Sequence, residues 1–303
     1  MKSIIKLIRV YQWTKSGFIL FPFVFSDKLF LIASAPFQNE SITIILQLLA
    51  AFMGFSFMAS SIYVINDLKD AELDRSDSRK KHRPIASGKI STAGAVTISS
   101  VLFFFGMTLS FFLGAEIIGI FGFYFLMNIF YTYLGKKIII VDVMTIALGY
   151  VLRVLVGAFV IDVEASPWLL STTFFISLFL GFYKRYYEVK TSETEFLLGG
   201  IYIPETLRSF SNVTAALSIM NYSIYTILGP HSEANLIWTV PLVVLGIFRY
   251  YVLMQTPEEV KDGNPSDILL NDKFIILTIL LWVSLCAFLI LYFQPAGMTL
   301  ANF

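Results

Sequence analysis

The stretch YVINDLKDAELDRSDSRKKHRPIASGKI, residues 63–90, begins where a long uncharged run gives way to acidic and basic residues. Residues 41–65 carry no charge, and as a helix they are long enough to cross the ~30 Å hydrocarbon core of a bilayer. Three aspartates then follow, Asp67, Asp70 and Asp74, with five basic residues close behind. This pattern predicts a membrane helix that ends in a strongly ionised segment.

The composition of the 303-residue chain is typical of an integral membrane protein, because 57% of the residues are hydrophobic, 14% are charged and the mean hydropathy is +0.75. Repeated apolar runs predict an all-α fold, since lipid offers backbone amides no partner outside a helix or closed barrel and the alternating strands of a barrel are missing. The single cysteine, Cys286, excludes an intrachain disulfide. The net charge of +1 is uninformative about nucleic acid or acidic partners. For this membrane protein we expect no nucleic-acid partner, and the sequence leaves a homo-oligomer open.

The apolar runs predict nine transmembrane helices in one membrane domain that covers residues 1–303. The predicted spans are 16–36, 41–65, 93–114, 117–134, 139–161, 167–184, 210–229, 234–252 and 274–294. Two sizeable polar loops connect them, at about 66–92 and 184–210. The basic N-terminus is too long for a cleaved signal peptide, so we expect a retained first span.

Lysine and arginine concentrate on one side of this predicted topology. The N-terminus and the connections after the second, fourth, sixth and eighth spans, with the adjoining span ends, carry every basic residue except Lys28 and Arg153. The opposite connections carry mainly acidic residues. By the positive-inside rule, the N-terminus and both polar loops are cytoplasmic, and the C-terminus lies outside a bacterial cell membrane.

The aspartate-rich segment predicts a metal site. If the second span stays helical past its last apolar residue, Asn66, Asp67, Asp70 and Asp74 fall on one face at 100° per residue. Crowded carboxylates repel one another, and a bound cation removes the conflict. Oxygen ligands without cysteine or clustered histidine favour Mg²⁺, which usually bridges carboxylates to substrate phosphates. The alternative is a solvated, salt-bridged loop.

Further ionisable residues gather at the same predicted side of the membrane. Each alone would be an interface charge with its stem in lipid, but together they indicate a polar, mainly cationic ring around an anionic substrate. They are Lys136, Lys137, Asp142, Lys184, Arg185 and Glu188.

Arg153 is predicted to lie deep in the membrane. It follows Asp142 by eleven residues in the fifth predicted span, which corresponds to about 16 Å of helix. A charge at that depth is costly, so it should face a polar cavity or an anionic group. A functional cation and a buried structural ion pair are the two interpretations.

The motif NDLKDAELD at 66–74, followed by RPIASG at 83–88 and set among nine predicted spans, resembles the UbiA superfamily of intramembrane prenyltransferases. The resemblance covers nearly the whole chain. It implies a UbiA-type helical bundle whose cavity opens to the cytoplasm, where aspartate-bound Mg²⁺ holds a substrate diphosphate.

Other segments are similar to the decaprenyl-phosphate phosphoribosyltransferase branch of that superfamily. They are RVYQWTK at 9–15, VDVMTIALGYVLRVLVGA at 141–158, KRYYE at 184–188, FRYYVL at 248–253 and GNPSDILLNDK at 263–273. This similarity implies transfer of 5-phosphoribose from phosphoribosyl diphosphate to a polyprenyl phosphate, giving polyprenyl-phosphoryl-5-phosphoribose and diphosphate. Such a product implies a step in the biosynthesis of cell-wall precursors.

On this basis we predict the roles of individual residues. The metal ligands are Asn66, Asp67, Asp70 and Asp74, and the catalytic residues are Asp67, Asp70, Asp74, Asp142 and Arg153. The substrate-binding residues are Arg9, Gln12, Lys15, Tyr63, Asn66, Lys80, Arg83, Tyr131, Lys136, Lys137, Lys184, Arg185 and Glu188.

Two alternatives stay open. A UbiA-type enzyme could instead move a prenyl group from a prenyl diphosphate to an aromatic or lipid acceptor. Against this, the superfamily's second acidic motif survives here only as Asp142, with Ile146 in the position of its second aspartate. A membrane transporter would predict an internal repeat with broken spans, and the sequence shows no convincing repeat.

Overall fold

The computed structural model describes residues 2–77, 80–138, 140–191, 203–255 and 271–293. Within these ranges every regular element is helical, which confirms the all-α prediction. The α-helices are α1 (Lys2–Ile8), α2 (Phe21–Val24), α3 (Lys28–Ser34), α4 (Asn39–Lys69), α5 (Ala71–Ser76), α6 (Thr92–Leu113), α7 (Ala115–Tyr133), α8 (Val141–Val160), α9 (Pro167–Thr191), α10 (Pro204–Leu228), α11 (Val240–Gln255) and α12 (Lys273–Tyr292). The 3₁₀ helices are Val10–Leu20, Lys80–His82, Gly135–Lys137, Ser232–Ala234 and Leu236–Thr239.

Six helical segments in the described ranges are long and apolar enough to cross a bilayer, namely α4, α6, α7, α8, α12 and Leu236–Met254. They coincide with six of the nine predicted spans. The predicted spans 167–184 and 210–229 lie in α9 and α10, which have 25 residues each but bury several serines and threonines. The protein is therefore an integral membrane protein, and the count of nine crossings stays a prediction.

The first predicted span, residues 16–36, is bent. The helical segments Val10–Val24 and Lys28–Ser34 meet at an angle of 87°. The second of them begins at Lys28, whose Nζ lies 3.2 Å from Glu40 Oε1. A charge in the middle of an apolar run disfavours a straight helix in lipid, because a break allows the charge to reach a partner.

Glycines allow close contacts between backbones in the bundle. A Cβ at Gly157 of α8 would overlap the carbonyl oxygen of Ile19, so the N-terminal segment lies directly against α8. A Cβ at Gly106 of α6 would lie 3.0 Å from the carbonyl oxygen of Gly54 in α4. Small residues at such crossings let membrane helices approach each other without side-chain interference.

Sequence neighbours pack side by side through most of the bundle. Each helix from α6 to α11 contacts the next one, and α4 contacts α6, α7 and α8. One buried core around α4, α7 and α8 includes Phe55, Phe121 and Val156. A second core, which includes Phe179 and Tyr250, joins α9, α10 and α11.

We expect Gly157→Ala to lower the thermal unfolding temperature of the detergent-solubilised protein, because the added methyl group meets backbone rather than a movable side chain. Overpacking of this kind costs about 1–3 kcal/mol. Gly122→Ala in α7 is the matched control, since a Cβ there meets nothing within 4 Å and alanine favours a helix by about 1 kcal/mol. An unchanged unfolding temperature for Gly157→Ala would contradict the close contact with Ile19.

Candidate active site

The polar segment begins where α4 ends, at Lys69. Asp70 has φ −90° and ψ 0°, and the chain turns there into the separate six-residue helix α5, which contains Asp74. The helix that was predicted to continue past Ile65 does so as far as Lys69, and the face predicted through Asn66 and Asp74 is interrupted by the turn at Asp70.

Asp67 and Asp74 nevertheless meet at Arg83. The Nη1 atom of Arg83 donates to Asp67 Oδ1 at 3.1 Å and to Asp74 Oδ2 at 2.7 Å. Both aspartates are buried, with 3% and 4% of their surfaces exposed. Burial raises the pKa of the Asp74 carboxyl above its ordinary value, and the Arg83 guanidinium offsets only part of that rise.

Arg9 supplies a second cation to Asp67. Its Nη2 donates to Asp67 Oδ1 at 2.6 Å, and its guanidinium carbon lies 5.2 Å from the ring centre of Tyr63. The Arg9 backbone is left-handed, with φ 53° and ψ 52°, which costs a non-glycine residue about 1–3 kcal/mol. This turn separates α1 from the following 3₁₀ helix at the residue that contacts Asp67.

Asp70 and Asn66 contact α7 and the turn that follows it. Lys136 Nζ donates to Asp70 Oδ2 at 2.8 Å, and Thr132 Oγ1 donates to Asn66 Oδ1 at 2.5 Å. The sequence analysis missed Thr132, although its neighbour Tyr131 was predicted. A threonine in a membrane helix carries no distinctive signal, because most bond to their own helix, as Thr132 also does.

A third polar group joins α8 to α9. Arg185 Nε donates to Asp142 Oδ2 at 2.7 Å, its Nη1 donates to Glu188 Oε2 at 2.5 Å, and its Nη2 lies 3.4 Å from the Tyr131 hydroxyl. Lys184 Nζ lies 3.7 Å from Glu188 Oε1. Asp142 is only 1% exposed, so its charge depends on Arg185 for compensation.

These polar groups lie close enough for their charges to interact. Lys184 is within electrostatic range of Arg9 and Lys15, and Glu188 is within range of Lys80. The N-terminal segment, the α4–α6 connection and the end of α9 therefore meet at one end of the bundle. These are segments that the charge pattern assigned to one side of the membrane.

For two predicted site residues, Gln12 and Lys137, the structure gives only their positions in the backbone and, for Gln12, its burial. Gln12 is buried within the 3₁₀ helix Val10–Leu20. Lys137 ends the turn Gly135–Lys137, and its side chain lies outside what the structure describes.

Arg153 lies apart from these groups, buried on α8 with 4% of its surface exposed. Its Nη1 donates to the carbonyl of Gly149 at 2.7 Å, and its Nη2 lies 3.4 Å from the Tyr124 hydroxyl. The guanidinium carbon is 4.4 Å from the ring centre of Phe55, and the rings of Tyr124 and Tyr150 lie at 5.4 and 5.5 Å. Among the described residues it forms no ion pair, so its surroundings favour the functional interpretation over the buried ion pair.

Tyr63 connects Arg153 with the aspartates, because it interacts electrostatically with Arg153 and lies against Arg9. The sequence analysis predicted Tyr63 but missed the aromatic cage around Arg153. Aromatic residues are so common in membrane helices that Phe55 and Tyr124 carry no individual signal.

The described residues fit Mg²⁺ through two carboxylates. Asp67 and Asp74 converge on one nitrogen of Arg83, and Mg²⁺ usually binds proteins through one or two carboxylates with substrate phosphates and water completing the shell. Within the described ranges, no three His, Cys, Asp or Glu side chains form a metal-binding group. The described side chains therefore do not form the predicted four-ligand set, and metal ligation by Asn66, Asp67, Asp70 and Asp74 stays a prediction.

Comparison with known proteins identifies the family of this bundle. Residues 19–270 match the sequence model of the UbiA prenyltransferase family. The chain belongs to this family. A UbiA family member with this membrane-spanning helical structure is a transferase, which confirms the resemblance seen in the sequence.

Relatives of known designation cover almost the whole UbiA chain. The decaprenyl-phosphate phosphoribosyltransferase of Corynebacterium glutamicum is 29% identical over 97% of this chain and 88% of its own length. The protein of the same name from Mycolicibacterium smegmatis is 25% identical over 93% of this chain and 91% of its own.

Solved structures share the fold. A UbiA homologue from Archaeoglobus fulgidus, bound to GPP and Mg²⁺, superposes with a TM-score of 0.71 at 16% identity, over 96% of this chain and 99% of its own. A digeranylgeranylglyceryl phosphate synthase superposes with a TM-score of 0.64 at 19% identity, over 96% and 98% of the two chains. At these identities the likeness shows the UbiA fold alone.

We expect Arg153→Met to keep or raise thermal stability while it lowers turnover about 100-fold or more. The substitution removes a desolvated charge without leaving a described carboxylate unpaired, whereas a group that stabilises developing charge contributes about 10²–10³ in rate. Thermal unfolding and single-turnover assays measure the two effects.

Arg249→Met is the control for this substitution, because Arg249 Nη2 donates to Asp272 Oδ2 at 2.7 Å and its loss removes an ion-pair partner from that carboxylate. A loss of stability in Arg153→Met as large as that in Arg249→Met, with turnover retained, would contradict the functional interpretation.

Proposed function

We propose that this UbiA family member transfers 5-phosphoribose from phosphoribosyl diphosphate to a polyprenyl phosphate, with Mg²⁺ on the departing diphosphate. The products are polyprenyl-phosphoryl-5-phosphoribose and diphosphate. The names of the relatives that cover most of the chain support this reaction.

The observation that carries the proposal is the presence of two groups of basic side chains, each paired with carboxylates, at one end of the bundle. Arg9, Arg83 and Lys136 lie on the aspartates, and Lys184 and Arg185 lie at the end of α9. Phosphoribosyl diphosphate carries phosphate at both ends of the sugar, and the acceptor brings another phosphate. A prenyl diphosphate carries phosphate at one end only, so as donor it would engage one of the two groups.

The chemistry breaks the bond between the anomeric carbon of ribose and the diphosphate oxygen, and the electron pair leaves with the diphosphate. An oxygen of the polyprenyl phosphate forms the new bond to that carbon. Bound Mg²⁺ would neutralise charge on the leaving group, and Arg9, Arg83 and Lys136 supply further positive charge beside it. The acceptor phosphate is already ionised, so the reaction needs little help from a general base.

Arg185 is held in place before substrate binds. Asp142 and Glu188 both accept hydrogen bonds from its guanidinium, which fixes the orientation of that group. We assign Arg185 and Lys184 to the 5-phosphate of the donor or the phosphate of the acceptor. Arg153, buried farther along α8, would stabilise an anion deeper in the bundle.

The membrane supplies the second substrate. The apolar tail of a polyprenyl phosphate remains in the bilayer while its phosphate enters the polar end of the bundle. We assign this end to the cytoplasm, where the water-soluble donor is made, and the charge asymmetry of the sequence supports the same orientation.

Transfer of a prenyl group is the second candidate. Two solved structures of the same fold have GPP or DMAPP bound together with Mg²⁺, which supports prenyl diphosphate as a donor for this fold. In this chain the second acidic motif retains only Asp142, and that carboxylate is paired with Arg185.

The test is an assay of the purified full chain in detergent with Mg²⁺. Radiolabelled phosphoribosyl diphosphate and a polyprenyl phosphate are supplied in one reaction, and a prenyl diphosphate with an aromatic acceptor in another. We expect labelled lipid in the first reaction only. Product in the second reaction alone would overturn the proposed function in favour of prenyl transfer.

We expect Asp70→Asn to abolish Mg²⁺-dependent transfer, with a loss of at least about 100-fold, while the protein stays monodisperse in detergent. The side chain of Asp70 is 31% exposed, so loss of its charge leaves the fold intact. Asp67→Asn should also abolish transfer. Glu72→Gln, an exposed position in α5, is the control and should keep wild-type activity. Full activity of Asp70→Asn would remove that residue from the site.

The orientation can be tested by cysteine labelling in a Cys286→Ser background. A membrane-impermeant maleimide should label Glu233→Cys in intact spheroplasts, and Lys81→Cys only after the membrane is permeabilised. Both positions are exposed in the structure, so access depends on the side of the membrane. The reverse labelling pattern would contradict the cytoplasmic assignment of the polar end.

A further inference from the structure

Arg83 lies where two candidate metal ligands converge. A single nitrogen, Nη1, donates to both Asp67 and Asp74. Two buried carboxylates that face one point repel each other unless positive charge lies between them. Arg83 supplies that charge to both carboxylates, and Arg9 adds a second cation to Asp67. If Asp67 and Asp74 hold Mg²⁺, the Arg83 guanidinium would compete with the metal for them.

The geometry of this contact differs from that of a metal ion. The two oxygens lie 3.1 and 2.7 Å from Nη1, whereas Mg²⁺ binds oxygen at about 2.0–2.1 Å. A guanidinium at these distances pairs the two carboxylates without closing on them as a metal ion would. Arg9 also donates to the same Asp67 oxygen, at 2.6 Å.

The backbone of Arg83 is fixed while its side chain is accessible. Arg83 N donates to the carbonyl of Lys80 at 2.9 Å, and Ser87 N donates to the carbonyl of Arg83 at 2.9 Å. Two residues later, Ile85 is 4% exposed in a core that includes Val64 of α4. The Arg83 side chain is 28% exposed, so it can rotate away without moving the loop.

We propose that Arg83 is a positioning residue that exchanges partners during the reaction cycle, an inference that rests on the proposed function. Without substrate, Arg83 holds Asp67 and Asp74 together in place of a divalent ion. When donor and metal enter, its guanidinium leaves the two carboxylates and binds the diphosphate. Arg83 thus competes with the metal in the absence of diphosphate and cooperates with it in the presence of diphosphate.

The exchange predicts that one substitution strengthens metal binding and weakens diphosphate binding. Arg83→Gln removes the competing charge, so it should bind Mn²⁺ alone more tightly than wild type, by about fivefold or more. The same variant should bind radiolabelled inorganic diphosphate at saturating Mg²⁺ more weakly, by a similar factor. A purely structural residue would weaken both forms of binding, and a simple phosphate contact would leave the Mn²⁺ affinity unchanged.

The experiment uses the full chain in detergent, with Mn²⁺ binding followed by electron paramagnetic resonance and diphosphate binding by equilibrium dialysis. Lys81→Gln is the matched control, because it removes one positive charge from an exposed position in the same loop and should change neither affinity by more than about twofold. If Arg83→Gln does not fold, Arg83→Lys keeps the charge but loses the forked geometry, and it should shift both affinities in the same directions by less.

Tighter Mn²⁺ binding together with weaker diphosphate binding would support the exchange. An Mn²⁺ affinity that is unchanged or lower in Arg83→Gln, or a shift equal to that of Lys81→Gln, would overturn it. Neither probe contains ribose or a prenyl chain, so this result is independent of the lipid-product assay. The binding experiment can therefore contradict the exchange while the lipid-product assay supports the proposed function. The opposite pair of results is equally distinguishable.

Discussion

The carboxylates of Asp67, at the end of α4, and Asp74, in α5, are buried, and burial of a charge is costly unless an opposite charge lies against it. That constraint accounts for most contacts in the candidate site. Asp67 and Asp74 both form ion pairs with Arg83, and Asp70 forms one with Lys136. Asp142, which is more fully buried, forms an ion pair with Arg185 of another helix. Because the cations come from distant parts of the chain, neutralising the acids also determines which helix ends assemble.

The apolar bundle makes this assembly possible by controlling where backbones approach. The contact between Gly157 and Ile19 places the N-terminal segment against α8, and the left-handed turn at Arg9 occurs just before that segment. Strain at Arg9 and close packing at Gly157 therefore act on the two ends of one segment, Val10–Leu20. Both help to bring a basic residue from the start of the chain to an aspartate 58 positions later.

The sequence predicted the fold class, the helices that are most apolar and the segments that supply the polar end, because these follow from hydropathy and charge alone. It did not predict the break at Asp70 or the contact between Thr132 and Asn66, since both depend on backbone geometry and on the rotation of neighbouring helices. Residue types indicated that Arg83 would bind anions, but the structure places it on two carboxylates. Only long-range packing could reveal that partner.

The aromatic cage of Arg153 also bears on how the protein enters the bilayer during synthesis. Helix α8 cannot rest alone in lipid at low cost, because its arginine would then face hydrocarbon. Phe55 and Tyr124 belong to α4 and α7, which the ribosome produces earlier. Helices α4 and α7 are therefore available to surround Arg153 when α8 leaves the translocon. If α8 preceded them in the chain, Arg153 would face lipid at the moment of insertion.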